Sequence, residues 1–397
     1  MSNKVINSLN LFTSWLDNNG WMGYDPYDIK ANKFIINITR LSNQHKIFVP
    51  LREFIFELSY TFPVTTRKLL AIKPSINAKA MGLFALAYLD LYKSSKNNAY
   101  LEKGHESLQW LIDNKIEENG GIGWGYPFNW QSTKRIPKHT PNGIVTTVAG
   151  DAFWNYYKHT GDKTYLDYCI KIARFLNSLP VDSYDGNICF SYTPLFINHV
   201  HNLNLFVAEY LIRVGQEVNN QEWVDRGNSA VSYTIKSQLP NGAFDYNGPP
   251  EKPQNFIDNY HTGFVLRMLH STMLLTGRED VKESLTKCYN HYIENFFDNG
   301  IPKLKPHQKY RIDIHSSAES INCLSELSVT FPDSIDIANK VLNWTLDNLQ
   351  DKKGFFYYGI LKSRFTRTPF KSKIPYIRWG QAWMLKALSS YYIHNKE

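Results

Sequence analysis

Apolar residues recur at helical spacing along most of the chain, and two kinds of helical stretch alternate. One kind is small or apolar on nearly every side, as in AKAMGLFALAYL. Such a helix offers no face to water and is buried all round. The other kind is amphipathic: NNAYLEKGHESLQWLIDNKI, KTYLDYCIKIARFLNSL, QEWVDRGNSAVSYTIKSQL, REDVKESLTKCYNHYIENFF and DSIDIANKVLNWTLDNLQ. The buried kind begins near Ala78, Gly143, Asn202, His261, His315 and Trp379, at intervals of 65, 59, 59, 54 and 64 residues. Nearly constant spacing of about one helical hairpin implies stacked units that share a core. Six buried helices and five amphipathic ones leave one outer place empty. The stretch from Val5 to Asp17, with Val5, Leu9, Phe12 and Leu16 on one stripe, fills it and closes a ring. The expected fold is therefore all-α, an (α/α)6 toroid of alternating inner and outer helices, with an open α-solenoid as the alternative.

The toroid is expected to be one domain over residues 1–397, with 20–76 an irregular N-terminal segment. Within that segment Pro50 to Ser59 predicts a helix, while the apolar run Ile35 to Ile38 is too short to assign. Several outer helices end in a glycine and an aromatic residue, as at Gly121 to Trp124, Gly242 to Phe244 and Gly354 to Phe356, where glycine accepts the backbone that stops a helix.

With 397 residues, 43% of them hydrophobic, the chain has ample material for a large core. Its apolar runs are too short to span a bilayer, and its first residues lack the order of a signal peptide, so a soluble cytoplasmic protein is expected. Cys169, Cys189, Cys288 and Cys323 show no CxxC spacing and read as buried thiols. No metal and no cofactor is expected.

In such a ring the six inner helices run the same way, so their N-termini meet at one mouth, where the polar loops also lie. Helix N-termini favour anions and oxygen-rich ligands. Much of the formal net charge of +8 falls in three loops that precede inner helices. These hold Lys134, Arg135, Lys138 and His139; Lys303, Lys305, His307, Lys309 and Arg311; and Lys362, Arg364, Arg367, Lys371, Lys373 and Arg378. An anionic oligosaccharide, polysaccharide or sugar phosphate is the expected partner, with Arg364, Arg367 and Arg378 in contact. Nucleic acid is not expected, and the same basic loops allow peripheral membrane association. Aromatic residues crowd the same loops. Flat apolar faces beside hydrogen-bonding groups suit pyranose rings, so Trp124, Tyr126, Trp130, Tyr192, His201, Asn202 and Trp379 are read as substrate-binding, and Phe128, Phe190 and Phe244 as loop packing.

The segments GWGYPFNWQS, TPNG, SYTP, HN, IDNYHTG, IDIHSSAESI and RWGQAWML, spread from Gly120 to Leu388, together resemble bacterial α/α-toroid proteins associated with exopolysaccharide and capsule biosynthesis. The resemblance implies carbohydrate chemistry without specifying a reaction. More distantly the architecture is similar to six-hairpin glycosidases, toroid polysaccharide lyases, sugar epimerases and terpenoid cyclases. The cyclase motifs DxDD and DDxxD are absent from this sequence.

Chemistry on a glycan needs proton donors and acceptors around the reacting bond. Asp258 and Asp313 stand just ahead of His261 and His315 in adjacent hairpins, so a glycoside hydrolase with these carboxylates as acid and base is the first expectation. Both aspartates also suit helix capping. The second is a uronate lyase or C5-epimerase, in which Tyr260 or a histidine removes the proton next to a carboxylate while Arg378, Asn202 or His315 offsets the developing charge. Asp151 and Glu319 are placed to point down the ring axis. A non-catalytic glycan-binding toroid is the third.

Overall fold

The computed structural model describes residues 3–131, 134–254, 256–363, 366 and 368–395. The chain opens with α1 (Asn3–Asn19), followed by three shorter helices, α2 (Lys33–Gln44), α3 (Val49–Thr61) and α4 (Pro63–Leu69). Inner and outer helices then alternate: α5 (Ala78–Ser95) and α6 (Asn98–Asp113), α7 (Gly143–Thr160) and α8 (Lys163–Asn177), α9 (His201–Glu217) and α10 (Gln221–Lys236). The series continues with α11 (Asn259–Thr276) and α12 (Glu279–Phe296), then α13 (Ile314–Leu327) and α14 (Ser334–Leu349). A turn of π-helix (Ile377–Ala382) leads into α15 (Trp383–His394). Each inner helix packs on the next, and α15 packs on α5, so the ring closes. The fold is an all-α (α/α)6 toroid.

Polar caps set where the inner helices begin. The side-chain oxygens of Asn77, Asn142, Asp258 and Asp313 accept hydrogen bonds from the backbone N–H groups of Lys79, Val145, His261 and His315 at 3.0, 3.0, 2.9 and 2.8 Å. Each such cap contributes about 1 kcal/mol. Small residues let the helices approach: a Cβ at Gly82 of α5 would lie 2.8 Å from the Val148 carbonyl of α7.

Helix α1 takes the outer place left by the other five. Lys4 pairs with Asp347 of α14 at 2.8 Å, and Asp17 pairs with Lys103 of α6. Phe12 meets Phe356 edge-on at 5.0 Å. Beside it Gly354 has φ +103°, and a Cβ there would collide with the Leu11 carbonyl, so this glycine is required by both conformation and space.

The loops that lead from outer to inner helices fold back as short antiparallel ribbons, such as Ile116–Glu118 with Gly121–Gly123 and Val181–Tyr184 with Asn187–Phe190. A three-stranded one sets Ile312–Asp313 beside Gly359–Leu361 and fixes the start of α13. The segment between α1 and α5 is more regular than its sequence suggests. Ile35 and Ile38 form the buried side of α2, which Asn32 caps. One buried ion pair ties this segment to the mouth, Arg378 with Asp25 at 2.5 Å, and a second, Arg67 with Asp28 at 2.9 Å, holds the segment's own helices together. Tyr27 lies edge-on to Trp379 at 5.3 Å. The segment thus roofs one side of the ring. Among the described residues no helix is long and apolar enough to cross a membrane.

Candidate functional site

At the mouth lies a cavity of about 300 Å³. Its walls come from the first turns of inner helices, the loops ahead of them and the roof, through Tyr27, Tyr126, Trp130, Tyr192, Tyr246, Phe256, Tyr260 and Phe264. Trp130 sits 4.9 Å from Tyr192 and 5.6 Å from Tyr126, ring centre to ring centre. The polar groups among these rings are Lys79, Asn202, Gln254 and His261. No aspartate or glutamate among the described residues lines this cavity.

The two aspartates expected to do acid and base chemistry are both fully buried. Asp258 caps α11 with one oxygen and holds the Nδ1 of His261 with the other at 2.9 Å. That contact fixes the tautomer, so Nε2 is the nitrogen left to the cavity, and the side chain is 22% exposed there. Asp313 is consumed by the fold. One oxygen accepts from the His315 backbone at 2.8 Å and from the Trp379 indole at 2.8 Å. The other takes Arg311 through two hydrogen bonds, at 3.1 and 2.7 Å. The pairing of Asp258 with Asp313 across an open pocket is thus corrected: both serve as caps, and only Asp258 supports a group that reaches the cavity.

His315 lies one layer down. Tyr260 stands between the two histidines, 4.4 Å from His261 and 4.8 Å from His315. Trp379 and Trp383 close His315 in at 4.4 and 5.1 Å, and neither of its ring nitrogens has a hydrogen-bond partner. Burial, with Lys79 and Arg378 nearby, keeps it neutral by pushing its pKa well below the usual histidine range. Burial, and then the charge of Asp258, raises the Tyr260 phenol well above 10.

Lys79 is the group that sequence reasoning missed. It enters the cavity from the first turn of α5, with its ammonium 5.3 Å from the Phe264 ring and 5.1 Å from that of Trp383. Burial first, then Arg378, lowers its pKa well below the ordinary lysine value. The available signal was a lysine inside an otherwise apolar helix. Asp25 and Tyr27 were also missed, because they sit in the segment that had no clear pattern. Beneath the mouth the axis is filled by ion pairs: Glu319 with Arg267 at 2.7 Å, and Glu209 with Arg213 at 3.0 Å, with Asp151 also on Arg213. Burial pushes Glu319 up to about 7 against the pull of Arg267.

Other expected contacts are redistributed. Tyr126, Trp130, Tyr192 and Asn202 line the cavity. Trp124 does not: it is 1% exposed, donates its indole N–H to the Leu111 carbonyl at 3.0 Å and stacks on Phe153 as core. His201 is buried against Tyr233 and Phe244, and burial lowers its pKa to about 3. Arg378 is neutralised by Asp25 and sandwiched by Tyr27, Tyr126 and Trp379 at 5.1 to 5.3 Å, so it holds the roof and the wall together. Trp379 lines an adjoining cavity of about 140 Å³ under the roof, with Arg67 and Arg311. Arg364 and Arg367 lie outside the described residues. No group of three or more His, Cys, Asp or Glu side chains among the described residues is placed to hold a metal ion.

No known family model matches the chain, and no curated protein matches its sequence. Solved structures do. A sugar epimerase from a ruminal bacterium superposes with a TM-score of 0.63 at 14% identity, over 82% of this chain and 90% of its own. A GH76 α-mannanase of Bacteroides thetaiotaomicron gives 0.61 at 10% identity, over 81% and 86%. An unsaturated glucuronyl hydrolase specific for heparin gives 0.57 at 13% identity, over 80% and 87%. The chain has the six-hairpin glycosidase-like fold. At these identities the shared property is the fold, which these three proteins use for different reactions.

Proposed function

We propose that the chain is a carbohydrate-active enzyme that moves a proton at a sugar carbon next to a carboxylate, as a uronate epimerase or lyase does, within an oligosaccharide or polysaccharide. The observation that carries this reading is the make-up of the cavity: a histidine backed by a buried aspartate, with no acidic residue in the lining of the larger cavity and only Asp245 and Asp258 in the small recess that shares His261 and Asn202 with it. A two-carboxylate hydrolase needs both acids beside the scissile bond. Here both candidate aspartates are spent on caps. His261 Nε2 is the base that takes the proton on carbon, and Asp258 stabilises the imidazolium that results. The electron pair passes into the substrate carboxylate, whose entry favours the protonated form of Lys79, and Lys79 and Asn202 then offset its charge. Donation of the Tyr260 phenol proton to the other face of that carbon inverts the centre, and the proton on His261 returns through water to the phenolate; expulsion of the oxygen substituent on the next carbon, which takes the imidazolium proton as it leaves, instead gives an unsaturated sugar and restores His261. Trp130 and Tyr192 supply flat surfaces for the ring. The resemblance of its loop segments to exopolysaccharide and capsule proteins is the ground for proposing a place in the assembly of such a glycan inside the cell.

The test is incubation with uronate-containing and neutral oligosaccharides in deuterium oxide, followed by mass spectrometry. The expected result is uptake of one deuterium per turned-over uronate, or an unsaturated product, with neutral sugars unchanged. Cleavage by water alone, without label or unsaturation, would return the assignment to the hydrolases.

A further inference from the structure

The outer surface of the roof differs from the rest of the molecule. Of the seventeen large hydrophobic side chains that are exposed among the described residues, nine fall between residues 22 and 69. Ile47 and Leu69 are each 82% exposed, and Phe34, Leu51 and Phe62 lie between 42% and 55%. The charges of this segment are sorted as sharply. Lys33, Arg40, Lys46, Lys68 and Lys73 are exposed, while Asp25 and Asp28 are buried and Glu53 is half-buried against Arg52 at 2.8 Å. On α2 the two chemistries share one face: Lys33, Phe34, Asn37 and Arg40 are exposed at helical spacing, opposite the buried Ile35 and Ile38. Exposed apolar side chains at this density mark a surface that is covered in use.

We infer that the outer face of the segment from Met22 to Lys73 docks on an anionic membrane surface. Protruding apolar tips among five exposed cations, against two partly exposed acids, Glu57 and the Glu53 that pairs with Arg52, are complementary to a sheet of negative headgroups over an acyl layer. An acidic protein groove would have to meet tips spread over three helices and the turn at Ile47, whereas a bilayer accepts them without a matched shape. Of the nine exposed side chains, Tyr60 lines the cavity under the roof and the other eight line neither cavity, so this inference does not rest on the reaction assigned to the mouth. On the other side of the same segment, Phe56 and Arg67 line the cavity under the roof.

The experiment is co-sedimentation of the full chain with phosphatidylcholine vesicles, with or without phosphatidylglycerol, at low and high salt. The expected result is at least tenfold stronger binding to the anionic vesicles, weakened by salt. Ile47→Glu with Leu69→Glu should lower that binding at least tenfold at unchanged melting temperature, since both side chains are already in water. Lys33→Glu with Lys68→Glu provides a second, purely electrostatic variant with the same expectation. Equal binding to neutral and anionic vesicles, or variants that bind like the wild type, would overturn the inference. So would a wild-type dimer in light scattering that the Ile47→Glu and Leu69→Glu pair turns into a monomer, which would give the face to a second copy of the chain.

Discussion

At the N-terminus of α11, the second oxygen of the capping aspartate carries a histidine ring; at the N-terminus of α13 the equivalent oxygen carries an arginine. The difference comes from one residue of spacing. His261 is three positions after Asp258, which brings its ring back over the cap. His315 is two positions after Asp313, on a different side of the helix, and turns inward among Trp379, Trp383 and Tyr260. With no ring to hold, Asp313 takes Arg311 and the Trp379 indole and becomes a joint between α13 and the last inner helix. Repeats of one motif in a toroid therefore do not repeat a role. In the proposed reaction, the helix start whose histidine remains tied to its cap at the cavity supplies the base.

The largest effect that tests this contrast is on turnover. His261→Gln should reduce it by roughly 10²- to 10⁴-fold at unchanged melting temperature, the range for loss of a general base. Asp258→Asn keeps the cap but not the anion behind the ring, and should lose a smaller part of the same factor. Equal losses from His261→Gln and His315→Gln would erase the distinction between α11 and α13.

Acid stability extends the contrast to α9, where His201 is buried with one ring nitrogen unpartnered. Its folded pKa of about 3 lies below the ordinary value of 6.5. Between those two values the unfolded chain binds the proton that the folded chain refuses. The stability from a neutral His201 is thus complete above about pH 6.5 and is lost as pH falls toward 3, at about 1.4 kcal/mol per unit. Chemical denaturation at a series of pH values should show the gap between wild type and His201→Gln narrowing over that interval. A gap that does not change with pH would contradict burial of the neutral ring.

Asp313→Ala should cost about 3 kcal/mol of stability, because it removes a cap and leaves the Trp379 indole and Arg311 without their acceptor. Asp258→Ala, which orphans only one ring and one cap, should cost less. The reverse order in melting experiments would remove the structural role given to Asp313. A smaller effect is expected at Lys79. Lys79→Met should weaken binding of a uronate oligosaccharide about tenfold, or about 1.4 kcal/mol, and leave a neutral one unchanged, as titration calorimetry can show. Equal weakening of both would mean that the ammonium supports the cavity floor rather than the carboxylate.

The ring itself was legible in the sequence, because inner helices that are apolar on all sides and evenly spaced have few other ways to bury themselves. The partnership of α1 with the far end of the chain followed from the same count. The roof was not legible. Its anchors are ion pairs such as Asp25 with Arg378, 353 residues apart, and no local period records such a contact. At the cavity, the sequence led to helix starts that line it, but several of the side chains it singled out turn elsewhere. Trp124 belongs to an aromatic run that faces the mouth, yet its own ring turns into the core to reach the Leu111 carbonyl. Arg378 reads as a basic loop residue and is instead a buried, neutralised strut. The spacing of Asp258 and Asp313 from their histidines was visible throughout, and three against two is the signal that separates a held imidazole from a closed one.

The most direct test of the account is solvent exchange at the substrate carbon, measured by mass spectrometry on an established uronate oligosaccharide in deuterium oxide. Wild type and Asp313→Asn should both label the sugar carbon, or form the unsaturated product, at comparable rates per folded molecule. His261→Gln should bind the same oligosaccharide with unchanged affinity and label it at least a hundredfold more slowly. Labelling by His261→Gln at the wild-type rate, or its loss in Asp313→Asn with folding intact, would contradict the assignment of the base.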